Sequence, residues 1–356
     1  MKAYTEEEFF IMLNVAYIGF GNSVRRYHLP FIRNKENVCV KWIYRLESEI
    51  NPDLEARYPD YRFTSSFDDI KNDPEVNLVV INTPNRFHVP YAKEFLNAGK
   101  NVLVEKPFAM TAAQGKEVFD LATEKGLTCY VNQNRRYDTD FLALKEVIES
   151  GVLGDLIEVE SHYDYFNPKN TGNGDMLYGL VIHTLDQMIG LFGKPDRMVS
   201  DVRGIVNPKG GRDYIDLMLF YGDRLRVSVR SSHLVKIPYP RFVAHGTKGS
   251  FVKMSMGNLS RMMVGEEPLT PPFVLEKEDN WATVEYLDDY GNTVRYRHPS
   301  KVTDYGKLYD DLDAVINEGA AKKIRDEEVL EVLHLLEEAR KEPDARIGDG
   351  VDYWKF

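Results

Sequence analysis

The sequence predicts an α/β chain in two parts: a doubly wound parallel sheet, then an α+β domain on a large, mostly antiparallel sheet with one open face. Three observations carry this. The first third alternates short, unbroken apolar runs with amphipathic stretches, as parallel strands covered on both faces by helices do. A glycine turn, GFGN at 19–22, follows the first apolar run directly. Beyond about residue 137 the runs lengthen, alternate in polarity and are broken by YG and YGN turns, the signature of antiparallel hairpins.

In order, LNVAYIGF is a buried strand and RRYHLPFIRN begins a helix. VCVKWIYR is a strand, SFDDIKNDPEV a short helix with a turn, and NLVVINTP a strand. HVPYAKEFLNAG is a helix closed by Gly99, NVLVEKP a strand, TAAQGKEVFDLATEKG a helix and LTCYVNQN a strand. FLALKEVIESG then leads into the alternating strand LIEVESHYDYF. GDMLYGLVIHTLDQ (174–187) reads as a helix, with Asp175 as its N-cap. A run of strands follows to about residue 297, and two amphipathic helices close the chain. The expected division is an extension at 1–11, a first domain at 12–136 and a second at 137–356, since 356 residues exceed one ordinary core.

Hydrophobic residues make up 43% and charged residues 28%, a globular mixture. A net charge of −11 repels phosphate backbones, which argues against nucleic acid as a partner. No apolar run reaches the ~20 residues of a membrane span. Cys39 and Cys129 sit in separate strand-like runs, which fits a reducing compartment, and the acidic N-terminal stretch is unlike a signal peptide. The expected setting is the cytoplasm. The cysteine pattern gives no metal site.

The glycine turn carries the first functional signal. Gly19 permits the tight turn, Gly21 lets backbone approach a pyrophosphate at the following helix N-terminus, and Asn22 completes the loop. The third glycine of the dinucleotide fingerprint is replaced by Val24. At the first strand–helix junction of a doubly wound pattern this is read as a Rossmann dinucleotide site. The second strand ends at Tyr44 and Arg45, where NAD sites carry an acid. Arg45 suits a 2′-phosphate, so NADP is preferred to NAD, although Glu47 lies close in sequence. Thr83, Asn85 and His88 in NTPNRFH, and Glu105 and Lys106 in VEKP, fall at strand ends, where α/β sheets hold ligands.

Together GFG…HLP (19–30), NTPNRFH (82–88), AGKNVLVEKPFAMT (98–111), NQNRRYD (132–138) and YGLVIHTLDQ (178–187) resemble the glucose–fructose oxidoreductase/inositol dehydrogenase/MocA (Gfo/Idh/MocA) family over nearly the whole chain. Within it the pattern is nearest the branch that includes NADP-dependent scyllo-inositol dehydrogenases. The resemblance implies hydride exchange between a nicotinamide and a secondary alcohol of a sugar or cyclitol. It also implies a homodimer or homotetramer through the second sheet, which fits the expectation of an exposed apolar face needing a partner. By position it implies Lys106 and His183 as the catalytic pair, a cis bond before Pro107, and Asn85, His88, Glu105, Asn134 and Arg135 around the cofactor.

Taken alone, His183 on an apolar helix is a satisfied core histidine. Beside the lysine motif it becomes the expected base, with a pKa near neutral, and Lys106 steadies the developing alkoxide. Tyr163 and Tyr165 alternate on the preceding strand and could bind substrate, or could simply be sheet aromatics. Many members of the family carry aspartate one turn before the histidine; this chain has Gly179. That departure leaves a second reading open, a dinucleotide-binding sensor without turnover.

Overall fold

The computed structural model describes residues 12–168, 176–206, 212–255 and 276–341. The segment 1–11 and Asp175 lie outside the described residues.

The first sheet holds β1 (Leu13–Ile18), β2 (Val38–Tyr44), β3 (Phe63–Thr64), β4 (Leu78–Ile81), β5 (Asn101–Val104) and β6 (Cys129–Val131) in the order β3-β2-β1-β4-β5-β6. All pairs are parallel. β1 and β4 are buried almost throughout, as a sheet covered on both faces requires. The strand order reverses between β1 and β4, the place where such sheets bind ligands. The helix expected after GFGN begins as a π-helical stretch, Val24–His28, and becomes α-helical at Leu29–Ile32. Pro30, which has no N–H to donate, sits at the start of the α-helical part.

The second sheet holds β7 (Leu156–His162), β8 (Arg197–Arg203), β9 (Tyr214–Tyr221), β10 (Leu225–Ser232), β11 (Phe242–Gly246), β12 (Gly249–Lys253), β13 (Ala282–Leu287) and β14 (Thr293–His298). Its order is β14-β13-β12-β11-β7-β10-β9-β8, antiparallel except for the β7–β10 pair. Gly222 and Gly291, at φ +57 and +81, make the YG and YGN turns. Val159, Ile215, Leu217, Leu219, Val227 and Val229 point inward and are buried.

The opposite face differs from the apolar surface expected. Strand alternation sends Glu158, Asp216, Arg226 and Arg230 outward, where Arg230 Nε meets Asp216 Oδ2 at 2.8 Å and Arg226 pairs with Glu158. Exposed Val199 and half-buried Met218 and Phe220 are set among these charges.

The two closing helices, Gly306–Asn317 and Asp326–Arg340, return to the first domain. Tyr309 OH lies 2.6 Å from Tyr17 OH of β1, and the Ala112 N–H donates to Glu337. No helix among the described residues is long and apolar enough to cross a membrane.

Candidate active site

Parallel register builds the site. Ile18, Ile81, Val104 and Val131 pair in sequence across β1, β4, β5 and β6, so their successors Gly19, Asn82, Glu105 and Asn132 stand in a row at the sheet's C-terminal edge. Gly19 has φ +102, and a Cβ there would sit 2.5 Å from Asn82 O, so only glycine fits this turn. A Cβ at Gly21 would meet nothing within 4 Å, so this backbone faces open space.

A cavity of about 340 Å3 opens above this edge, against the second domain. Of the residues singled out from sequence, Thr83, His88, Glu105, Lys106, Asn134, Arg135, Tyr163 and His183 line it, with Tyr165 and Gly179. Asn82, the first residue of NTPNRFH, lines it too, and Ser23, Tyr27 and Leu180 join them with no local signal as site residues. Gly21 and Arg45 line a second cleft, about 520 Å3, with Arg25, Arg57 and Tyr58. Arg45 is paired there with Glu49, not Glu47: Nε to Oε2 is 3.1 Å. Asn22, Tyr44 and Asn85 line neither cleft. Asn22 Oδ1 accepts from Arg25 Nη2 at 3.0 Å, the Tyr44 ring packs 4.5 Å from that of Phe67, and Asn85 opens the turn Asn85–Phe87.

Lys106 is held from both sides. The Lys106–Pro107 bond is cis, and Lys106 Nζ donates to Gly179 O at 3.0 Å across the domain boundary. His88 fixes this turn: Nδ1 lies 2.7 Å from Pro107 O and Nε2 2.8 Å from Thr83 O. Both of its ring nitrogens therefore meet backbone.

Glu105 Oε1 takes His28 Nε2 at 2.9 Å, Asn132 Nδ2 at 2.6 Å and Ser23 Oγ at 3.1 Å, and Oε2 takes the Lys106 N–H at 3.2 Å. An ionised carboxylate only accepts, so His28 donates through Nε2. In that tautomer Nδ1 accepts from Tyr309 OH at 2.7 Å, and Tyr17 OH donates to Tyr309. A buried chain of donors thus points at Glu105. Burial alone would raise this carboxyl, but the hydrogen bond from His28, the Lys106 ammonium and the Asn132 amide together hold it below the ordinary carboxylate range. Burial lowers Lys106 to about 8, Glu105 opposing and Arg135 assisting.

His183 lies on the helix Ile182–Phe192, which continues a π-helical stretch, Leu177–Val181. It is buried, and its Nδ1 has no hydrogen-bond partner. The near-neutral pKa expected from sequence is not what this environment produces. Burial, then the cations of Lys106, Arg135 and Arg241, push the ring well below its ordinary value. A Cβ at Gly179 would meet nothing within 4 Å, so the missing carboxylate reflects no steric demand from protein atoms. Asp186 faces away from the cleft, in a bidentate pair with Arg136 at 2.8 and 2.7 Å.

The cleft suits a nicotinamide dinucleotide. Asn82 Nδ2, Thr83 Oγ1 and Asn134 Oδ1 are buried without partners along its wall, beside the open backbone at Gly21. Among the described residues no group of three or more His, Cys, Asp or Glu is placed to hold a metal ion.

Fold and site define an oxidoreductase with a Rossmann dinucleotide-binding domain. Residues 13–133 match the oxidoreductase family with an NAD-binding Rossmann fold, and residues 141–252 match the GFO/IDH/MocA C-terminal domain. The chain belongs to the Gfo/Idh/MocA family. It is 45% identical to the uncharacterized oxidoreductase YhhX of Escherichia coli K12, over 92% of this chain and 96% of that one. It is 28% identical to the scyllo-inositol 2-dehydrogenase (NADP(+)) IolW of Bacillus subtilis, over 92% of each. The crystal structure of an oxidoreductase from Bacillus cereus superposes with a TM-score of 0.89 at 38% identity, covering 93% of this chain and 97% of that one.

Proposed function

We propose that the protein is a dinucleotide-dependent dehydrogenase of CH–OH groups, working on a sugar or polyol with Lys106 and His183 at the reacting carbon. Their meeting in one cleft, from two domains, is the observation that carries this reading. A bound nicotinamide supplies the hydride acceptor. As the C–H bond breaks and its electron pair leaves, the hydroxyl loses its proton and the C=O bond forms, so the chain must take one proton. Lys106, at about 8, can accept it near physiological pH. His183 starts neutral and accepts the hydroxyl's hydrogen bond, and its neighbouring cations disfavour an imidazolium. The proton assignment therefore moves from His183 to Lys106, and Gly179 O and Glu105 position the lysine.

The sign of the pH dependence follows. Below about 8 the lysine is an ammonium and cannot accept, so alcohol oxidation rises with pH through that value and carbonyl reduction falls. Glu105→Gln removes the charge that raises Lys106, so the midpoint of the oxidation limb moves to lower pH. A rate–pH profile that keeps its midpoint in this variant would exclude the role given to Glu105.

NADP is the preferred cofactor, supported by Arg25, Arg45 and Arg57 around the second cleft. NADP(H) is expected to raise the melting temperature more than NAD(H) at equal concentration, and Arg45→Ala to erase the difference. Equal shifts in the wild type refute it. The setting proposed is cytoplasmic. Association into a homodimer or homotetramer through the second sheet would use cross-strand charge pairs rather than an apolar face.

A further inference from the structure

The charges lining the cleft indicate what kind of alcohol it accepts. Glu105 is the one acidic side chain among its described lining residues, against the two cations Lys106 and Arg135. Glu105 is turned away from substrate: His28, Asn132 and Ser23 occupy one oxygen, and the Lys106 N–H takes the other.

Arg135 is only 8% exposed and lies between the rings of Tyr27 and Tyr163, 6.0 and 5.8 Å from its guanidinium carbon. Among the described residues its side chain makes one hydrogen bond, from Nη1 to Asp138 Oδ2 at 3.3 Å. Asp138 is shared with Tyr305 OH, 2.6 Å from its other oxygen. A guanidinium carries five N–H donors in a planar fork that matches a carboxylate. A buried arginine so lightly engaged, on the wall of a cavity, is equipped for an anion.

Position 179 fits the same picture. A Cβ there meets nothing within 4 Å and the residue borders the cavity, yet it is glycine. An aspartate there would repel an anionic substrate and compete for Lys106. Glycine instead offers only its carbonyl, 3.0 Å from Lys106 Nζ.

We propose that the substrate is a sugar acid: its carboxylate pairs with the Arg135 guanidinium, and its reacting hydroxyl meets Lys106 in the space beside Gly179. This rests on the dehydrogenase reading above and narrows it.

The test compares dinucleotide reduction by the full chain on pairs of matched skeleton, D-gluconate against D-sorbitol and D-glucuronate against D-glucose. The acid of each pair is expected to have a kcat/KM at least about tenfold higher. Gly179→Asp, in open space, is expected to cancel that preference by raising KM for the acids. Arg135→Leu is expected to do the same if it folds. Equal or higher kcat/KM for the neutral partners, or an acid preference unchanged in Gly179→Asp, overturns the proposal while leaving a working dehydrogenase. Absence of turnover on both members of both pairs, and on neutral polyols generally, overturns the dehydrogenase reading itself.

Discussion

Lys106→Met is expected to lower turnover by about 1,000-fold while dinucleotide affinity stays within about threefold. The substitution keeps most of the side chain's volume and removes its proton acceptor and charge. Two contributions are lost together. One is proton transfer, worth typically about 10^2–10^4 in rate. The other is the ammonium that forms as the proton arrives and steadies the negative charge on the reacting oxygen. The wild-type geometry makes this lysine hard to replace: Gly179 O holds Nζ from the second domain, His88 meets Pro107 O behind it, and Glu105 opposes the effect of burial on its charge. Steady-state rates together with dinucleotide titration check this. A variant retaining more than about a tenth of wild-type turnover would move the proton chemistry away from Lys106.

Arg136→Met is expected to destabilise the fold by about 3–5 kcal/mol, the usual cost of leaving a buried charge unpaired. Arg136 joins three elements. Nε and Nη2 bind Asp186 on the histidine's helix, and Nη1 reaches Glu328 on the closing helix at 2.6 Å. Glu328 would keep Arg325, at 2.8 and 2.6 Å. Asp186, 1% exposed, would keep nothing among the described residues. Its burial already raises its pKa against the pull of Arg136. Gly190 belongs to the same arrangement, because a Cβ there would lie 2.9 Å from the Arg136 guanidinium carbon. Urea unfolding measures the loss, and a change below about 1 kcal/mol would show that the pair is dispensable.

Much of this fold is legible because parallel strands buried on both faces write unbroken apolar runs, and hairpin glycines mark the antiparallel half. β3 leaves no mark in the sequence because two residues, Phe63–Thr64, carry no periodicity. The helix Pro52–Arg57 is illegible for a related reason, since none of its residues is buried and it shows no apolar face. The closing helices read as helices, but nothing in their amphipathic pattern says that the first reaches β1 through Tyr309 while the second packs against the helices Ala112–Lys125 and Ile182–Phe192. The polarity of the open face is not legible, because long alternating strands show that one face is apolar without showing whether the other is neutral or charge-paired.

At the site, Lys106 and His183 were legible through their local motifs. The chain behind Glu105 was not: His28 and Tyr309 are 281 positions apart, and no local pattern joins them. Ser23 and Asn82 are accessible in principle, Ser23 just after the GFGN turn and Asn82 as the first residue of NTPNRFH, at the end of β4. The acidity of His183 depends on Lys106, Arg135 and Arg241 converging from three places in the chain. A sequence supplies the residue types for that effect without their distances.

The central claim is hydride exchange between a dinucleotide and a hydroxylated small molecule in the cleft shared by Lys106 and His183. Its most direct measurement is the absorbance of reduced nicotinamide when purified protein, NADP+ or NAD+, and a panel of sugars, polyols and sugar acids are combined. Reduced dinucleotide is expected only when protein, dinucleotide and a secondary alcohol are all present, at a rate that rises with pH through about 8 and is lost in Lys106→Met. Tight dinucleotide binding with no reduction on any panel member, and no oxidation of NADPH or NADH by the matching carbonyl compounds, would contradict it and leave a sensor on a dehydrogenase fold.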